Sequence, residues 1–118
     1  MSVRAIRGAI TVENNDAQEI ISATKLLLEE IEKENKLVRD DIISALFTVT
    51  HDLNAAFPAV AARQIGWTSI SLMCMNEINV PGSLEKCIRV MVQFNTDKQN
   101  TDLKHIYLRG AKILRPDI

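Results

Sequence analysis

Two arginines lie inside stretches that otherwise have the composition of buried β-strands. Arg7 falls within residues 4–12 and Arg89 within residues 87–94, and both stretches are rich in apolar side chains. A guanidinium keeps its proton and is costly to bury alone, so each arginine needs a carboxylate, a phosphate or water within reach. Cations set into an apolar wall therefore predict a site for a small anionic ligand.

The size and charge of the chain exclude several classes of partner. Its 118 residues predict a single domain over 1–118. The net charge of −1 and the pI of 6.1 offer no basic surface for nucleic acid or an anionic membrane. No apolar run approaches the ~20 residues that cross a bilayer, and no signal peptide is apparent at the N-terminus. We therefore expect a cytoplasmic protein that binds a small molecule.

Cysteine, histidine and glycine usage predicts neither a metal nor a cofactor. Cys74 and Cys87 lack CxxC spacing and a nearby histidine cluster, which favours free thiols over a zinc site or a disulfide. The four glycines form no phosphate-binding or dinucleotide fingerprint. No GxSxG elbow is present, and His51 and His105 have no recognisable catalytic partner, so we assign both histidines structural roles.

The apolar pattern predicts an α+β fold, a mixed β-sheet packed by one long and one short helix. Helical periodicity begins at Ala17, where Asn15 or Asp16 can cap the helix, and it ends near Asn35. Proline and glycine signals bound a short helix over residues 58–65. The predicted strands are residues 4–12, 42–50, 68–74, 87–94 and 104–109.

The predicted sheet has more apolar surface than two helices can cover. Strand 42–50 is apolar on both faces, which predicts cover on both sides. Strand 87–94 presents Cys87, Arg89, Met91 and Gln93 on one face, and strand 104–109 presents His105, Tyr107 and Arg109 on one face. Because two helices cover about one face, a second copy of the chain must cover the remainder. We therefore expect a homo-oligomer of closed symmetry, with clefts between subunits.

A set of polar residues could bind carboxylates and a hydroxyl group. It comprises Arg7, Arg63, Arg89, Glu77, Cys74 and Tyr107. The set lacks an obvious proton-transfer pair, so it suits electrostatic and conformational catalysis, or binding alone.

Every member of the set except Arg63 also has a structural alternative, which for Glu77 is an ordinary charge in a loop. Arg89 could form an ion pair with an acidic neighbour such as Glu77, and Arg7 could anchor a strand end. Cys74 could be a small apolar residue, and Tyr107 a core residue whose hydroxyl finds a partner.

Five blocks of sequence, in order, resemble the monofunctional chorismate mutases that form trimeric pseudo-α/β-barrels. The blocks are residues 4–9, residues 57–59 with Arg63, residues 74–77, residues 87–90, and residues 105–108 with residues 114–117. The resemblance covers nearly the whole chain. It implies a homotrimer that rearranges chorismate to prephenate for phenylalanine and tyrosine biosynthesis, without a cofactor or a covalent intermediate.

The resemblance also implies residue roles. Arg89 would face the ether oxygen of the breaking bond, Arg7 would hold a carboxylate, and Glu77 would bind the ring hydroxyl, so these three are the predicted catalytic residues. The predicted substrate-binding residues are Met73, Cys74, Met75, Asn76, Tyr107, Arg63 and Phe57. Of these, Tyr107 would bind the same carboxylate as Arg7, while Arg63 and Phe57 would come from the neighbouring subunit.

Three positions depart from the family pattern. Val60, Met73 and Ser71 stand where relatives often carry lysine, threonine and proline respectively. The chain ends at Ile118, whereas many relatives continue with a mobile tail, so closure of a lid over the site is doubtful. Leu114 and Arg115 would lie near the rim of the pocket.

Two other functions fit parts of the pattern. A trimeric imine or enamine deaminase also uses an arginine in a subunit cleft, but its motifs are absent here. A non-catalytic module that senses a small anion could use the same arginines, and fold alone does not exclude it.

Overall fold

Seven regular elements form a mixed β-sheet and its helical cover. The computed structural model describes residues 1–114. The elements are β1 (Ser2–Thr11), α1 (Ala17–Asn35), β2 (Ile42–Val49), α2 (Ala59–Gln64), β3 (Ser71–Asn76), β4 (Cys87–Thr96) and β5 (Ile106–Leu108), with short 3₁₀ helices at Arg39–Asp41, Asn100–Asp102 and Arg109–Leu114. The predicted α+β class, with one long and one short helix, is confirmed.

The five strands lie in the order β3-β2-β4-β1-β5. The central strand β4 pairs antiparallel with both β1 and β2, whereas β3 runs parallel to β2 and β5 runs parallel to β1. Arg89 on β4 therefore has Ala9 of β1 and Thr48 of β2 as its two cross-strand partners. Residues opposite one another share a face of the sheet, so this register decides which side chains meet.

The hydrophobic core lies between the helices and one face of the sheet. Asp16 caps α1 by accepting a hydrogen bond from the backbone N–H of Glu19, and Lys36 ends the helix in a left-handed conformation. Gly8 allows α1 to approach β1 closely, because a Cβ there would lie 2.9 Å from Cδ1 of Ile31. The largest fully buried side chains are Trp67, Phe47, Ile6, Ile10, Ile20, Leu27, Leu28, Ile31, Ile88 and Val92.

The other face of the sheet is covered by neither α1 nor α2, and only around Ala9 and Cys87 does the 3₁₀ helix Arg109–Leu114 pack on that face. We call it the open face and define it by Val3, Arg7, Leu46, Met73, Met75, Arg89 and Met91, which alternate with the core-facing positions of β1 to β4. The single chain therefore covers strand 42–50 on one side only, and the expected cover of the other side by a second copy stays a prediction. Ala45 and Phe47 are buried, but Leu46 is only half-buried.

The bounds of all five predicted strands differ from the observed ones by one to three residues, and the two strands at the edges of the sheet show why. β3 begins at Ser71 rather than residue 68. It pairs only with β2, and its first pair is Ser71 with Ser44. The register of β2 shifts just before Ser44, so the pairing does not extend to residue 68. The last strand ends at Leu108 rather than residue 109. Arg109 adopts a positive φ of 55° that turns the chain, and the N–H of Gly110 then donates to Oγ1 of Thr11. Among residues 1–114 no helix is both long and apolar enough to span a membrane.

Candidate active site

A cleft of about 250 Å³ opens on the open face, where side chains from the sheet converge. It is lined by Arg7, Gly8, Leu46, Thr48, Met75, Glu77, Arg89, Val90, Met91 and Tyr107. All five strands contribute to this lining, and so does Glu77, which directly follows β3. Residues far apart in sequence therefore meet because the sheet order brings their strands together.

Arg89 lies in the cleft beside one carboxylate without being saturated by it. Its Nε is 3.3 Å from Oε1 of Glu77, a close ion-pair contact that lacks hydrogen-bond geometry. This nitrogen is buried and has no acceptor among residues 1–114, while the side chain as a whole is 40% exposed. The guanidinium thus combines a desolvated Nε with an accessible end.

Glu77 is fixed at both its backbone and its carboxylate. Its N–H donates to the carbonyl of Val49 at 2.9 Å, which extends the pairing of β3 with β2 by one residue. Its Oε1 accepts a hydrogen bond of 2.7 Å from the hydroxyl of Thr48. The carboxylate is therefore held toward Arg89 from the side of β2.

Arg7 enters the cleft from β1. Its backbone N–H donates to Nδ1 of His105 at 2.9 Å, which joins the start of β5 to the strand that carries Arg7. This bond requires the proton of the neutral imidazole to be on Nε2. The side chain of Arg7 is exposed, and within residues 1–114 no carboxylate forms an ion pair with it. Its charge is therefore available to a ligand.

Tyr107 closes one side of the cleft. It lies opposite Ala9 in the β1–β5 pairing, and it packs on a small buried cluster of Ala9, Cys87 and Ala111. Leu114 packs on the same cluster, whereas Arg115 lies outside the described residues.

A second cleft, of about 440 Å³, adjoins the first and shares Met75 with it. Its lining comprises Val49, Leu53, Asn54, Ala55, Ala56, Phe57, Pro58, Cys74, Met75 and Asn76. Cys74 faces the opposite side of β3 from Met73 and Met75 and packs against the core. Phe57 is 69% exposed although it is a large aromatic residue.

The single chain brings together only part of the predicted site. Arg7, Glu77, Arg89, Met75 and Tyr107 line the first cleft, and Phe57, Cys74 and Asn76 line the second. Arg63 is exposed on α2 and Met73 is exposed on β3, and neither lines these two clefts. The roles assigned to all of these residues stay predictions.

Sequence reasoning missed Thr48 and His105 as neighbours of the site. Each makes its hydrogen bond to a residue on a distant part of the chain, 29 positions away for Thr48 and 98 for His105. The only feature of the sequence that could have indicated Thr48 as a site residue is its hydroxyl within a largely apolar strand. Nothing in the sequence aligned His105 with Arg7.

Both cysteines are free thiols, as predicted. Burial raises the pKa of the Cys87 thiol, and the positive charge of nearby Arg89 offsets part of that rise. Within residues 1–114 no three His, Cys, Asp or Glu side chains cluster closely enough to hold a metal ion.

A cleft with two guanidinium groups and one fixed carboxylate, built on one face of a mixed sheet, defines a site for a small anionic molecule. Comparisons with known proteins identify the family of the chain. The family described as chorismate mutase type I matches residues 3–118. The chain therefore belongs to the chorismate mutase type I family, and it is an isomerase of aromatic amino acid biosynthesis.

Individual relatives agree with this assignment. The chain is 44% identical to chorismate mutase AroH of Bacillus subtilis over 119 aligned residues, which cover 100% of this chain and 94% of the relative. It is 47% identical to chorismate mutase AroH of Thermus thermophilus, with 98% of this chain and 96% of the relative covered. A solved chorismate mutase from Clostridium thermocellum superposes with a TM-score of 0.92 at 64% identity, covering 93% of this chain and 98% of that chain.

Proposed function

We propose that this chorismate mutase binds chorismate in the first cleft and rearranges it there to prephenate by electrostatic stabilisation and restriction of its conformation. The observation that carries the proposal is the pair of incompletely satisfied guanidinium groups. Arg7 has no ion-pair partner within residues 1–114, and the buried Nε of Arg89 has no acceptor there. Buried donors without acceptors are costly, so a ligand oxygen would relieve that cost.

Arg89 is the proposed stabiliser of the transition state. The reaction breaks a carbon–oxygen bond while a carbon–carbon bond forms, and negative charge grows on the ether oxygen as that bond lengthens. A fixed cation aimed at that oxygen stabilises the transition state more than the ground state. Contact with Glu77 orients the guanidinium without occupying its Nε hydrogen, which supports this role.

The remaining residues would hold the substrate in its reactive shape. Arg7 and Tyr107 would bind one carboxylate, and Glu77, with the backbone of residues 73–76, would bind the ring hydroxyl. The side chain of Cys74 faces the core and lines only the second cleft, so Cys74 would contribute through its backbone. The reaction needs a folded substrate, and gripping both of its ends favours that conformer.

We also propose that the active enzyme is a homotrimer with Arg63 and Phe57 of a neighbouring subunit completing each site. With Glu77 ionised, two guanidinium groups and one carboxylate give the first cleft one net positive charge, whereas chorismate carries two carboxylates. A third cation would balance the dianion, and Arg63 is exposed and borders neither cleft of its own chain. The exposed side chains of Met73, Met75 and Phe57 are the kind of apolar surface that a second subunit covers.

Activity and mixing of variants test the proposal. Purified protein should consume chorismate and release prephenate, and a folded protein without turnover would favour a binding module instead. Inactive Arg63→Ala and Arg89→Ala subunits, unfolded and refolded together in equal amounts, should regain roughly a quarter of wild-type activity through sites that receive both intact residues. Arg7→Ala mixed with Arg89→Ala is the matched control, because both residues belong to one chain's cleft and no mixed site is intact.

The outcome of the mixing experiment has a direct reading. Recovery in the first mixture but not in the control supports shared sites, and recovery in neither contradicts the role of Arg63 across the interface. The predicted cytoplasmic location and the single domain over residues 1–118 remain proposals.

A further inference from the structure

Thr48 occupies the position between the two charged groups of the proposed active site. It is the cross-strand partner of Arg89 in the β2–β4 pairing, and it lines the same cleft. Its hydroxyl donates to Oε1 of Glu77 at 2.7 Å, and that same oxygen lies 3.3 Å from Nε of Arg89. One carboxylate oxygen therefore faces a neutral donor and a cation at once.

The hydrogen-bond geometry favours the neutral donor. An arginine and a glutamate in contact ordinarily form charge-assisted, often bidentate hydrogen bonds. Here the Thr48 hydroxyl is hydrogen-bonded to Glu77 while Nε of Arg89 is not. The bond from Thr48 therefore restrains the carboxylate, while the backbone bond to Val49 fixes the point from which the side chain extends.

We infer that Thr48 is a positioning residue that holds the carboxylate of Glu77 beside Arg89 without letting the two groups close into a saturated ion pair. The inference rests on the proposed function, which assigns Arg89 and Glu77 to the active site. When the hydroxyl is removed, the carboxylate is free to rotate and accept from Nε of Arg89. The guanidinium would then be partly neutralised and drawn away from the ether oxygen.

Threonine suits this task for a second reason. Its branched Cβ restricts χ1 on a β-strand, so the hydroxyl is presented in one direction at low entropic cost. Serine retains the donor but loses that restriction, and valine retains the shape but loses the donor. The two substitutions therefore separate hydrogen bonding from packing.

The experiment compares Thr48→Val with Thr48→Ser by steady-state kinetics on chorismate. We expect Thr48→Val to lower kcat about tenfold or more, since it removes preorganisation of the group that stabilises the transition state. We expect Thr48→Ser to stay within about threefold of wild type, because the donor to Glu77 is kept. Thr24→Val is the matched control, because the hydroxyl of Thr24 is hydrogen-bonded within α1, and it should leave kcat unchanged.

A double-variant cycle with Glu77→Gln separates a positioning role from a structural one. If Thr48 acts through Glu77, then Thr48→Val should lower kcat far less in the Glu77→Gln background than in wild type. If its effects are equal in both backgrounds, or if Val and Ser lower kcat equally, the inference is wrong. Unchanged kcat in Thr48→Val would also overturn it.

Two further measurements keep the test decisive. Should circular dichroism show that Thr48→Val is unfolded, Thr48→Ser and Thr48→Ala form a second pair that differs only in the hydroxyl, with the same expected contrast. Failure of the proposed function is distinguishable, because Arg89→Lys would then retain wild-type turnover. If Arg89→Lys loses activity while the separate variant Thr48→Val is fully active, the proposed function is supported and the role of Thr48 is wrong.

Discussion

Two arginine–glutamate pairs in this protein differ in how completely their donors are used. In the pair that joins Arg39 to Glu32, Nε and Nη2 of the arginine donate to the two carboxylate oxygens at 2.9 and 3.2 Å, and Nη1 donates to the carbonyl of Ile65 at 2.6 Å. Glu32 also accepts from the indole N–H of Trp67. In the pair that joins Arg89 to Glu77, the contact is 3.3 Å and Nε has no acceptor within residues 1–114.

The difference is the one expected between a structural ion pair and the ion pair that we propose binds substrate. Arg39 connects the segment after α1 to the end of α2, and each hydrogen bond that it makes contributes to that connection. Its pKa is raised by the hydrogen bonds that it donates to Glu32, as expected for a cation with its partner in place. The buried Nε–H of Arg89 has no acceptor within residues 1–114, which suits the binding of a ligand oxygen.

The largest expected effect comes from changing the arginine of the Arg89–Glu77 pair, which we call the unsaturated pair because Nε of Arg89 lacks an acceptor within residues 1–114. Arg89→Lys keeps the charge but loses the planar fork, so we expect kcat to fall by about 10² to 10³, or more, with circular dichroism unchanged. Steady-state kinetics on chorismate measures the change. Near-native turnover in this variant would show that the unused donors of Arg89 do not contribute to the reaction.

The same substitution in the saturated pair should affect stability instead. Arg39→Lys loses at least two of three donated hydrogen bonds, so we expect the free energy of unfolding to fall by about 1 to 2 kcal/mol while kcat stays unchanged. Urea denaturation at a fixed protein concentration measures the loss. Arg4→Lys is the control, because Arg4 donates a single bond of 3.3 Å and should change stability by less than about 0.5 kcal/mol. If Arg39→Lys lowers kcat and leaves the free energy of unfolding unchanged, the structural role assigned to the Arg39–Glu32 pair is wrong.

The helices and strands could be predicted from the sequence more fully than the way in which the strands pair. The periodicity from Ala17 and the capping carboxylate of Asp16 predicted α1, because both are local properties of the chain. The pairing of β4 with both β1 and β2 joins segments that are far apart in sequence, and no local pattern specifies it. The late start of β3 was missed for the same reason, since it depends on the register shift near Ser44.

The candidate site was predictable to a similar extent. Arg7 and Arg89 stood out because cations are rare in apolar strands, and both line the first cleft. Thr48 and His105 were missed because their hydrogen bonds depend on the register between strands. Arg63 and Phe57 border other surfaces of their own chain, so their predicted role needs a second subunit.

The smallest expected effect uses Cys87 as a probe of the region around Arg89. Burial raises the pKa of this thiol above its ordinary value of 9.0, although the charge of Arg89 offsets part of the rise. A group with a raised pKa in the folded state contributes full stability below its unfolded pKa and loses that contribution as the pH rises toward the folded pKa. Between pH 8 and pH 10 the free energy of unfolding should therefore fall more steeply for wild type than for Cys87→Ala, measured by urea denaturation at fixed protein concentration. Equal pH slopes in the two proteins would mean that the positive charge of Arg89 cancels the effect of burial on the pKa of Cys87. Glu77 would then neutralise Arg89 less than their 3.3 Å contact suggests.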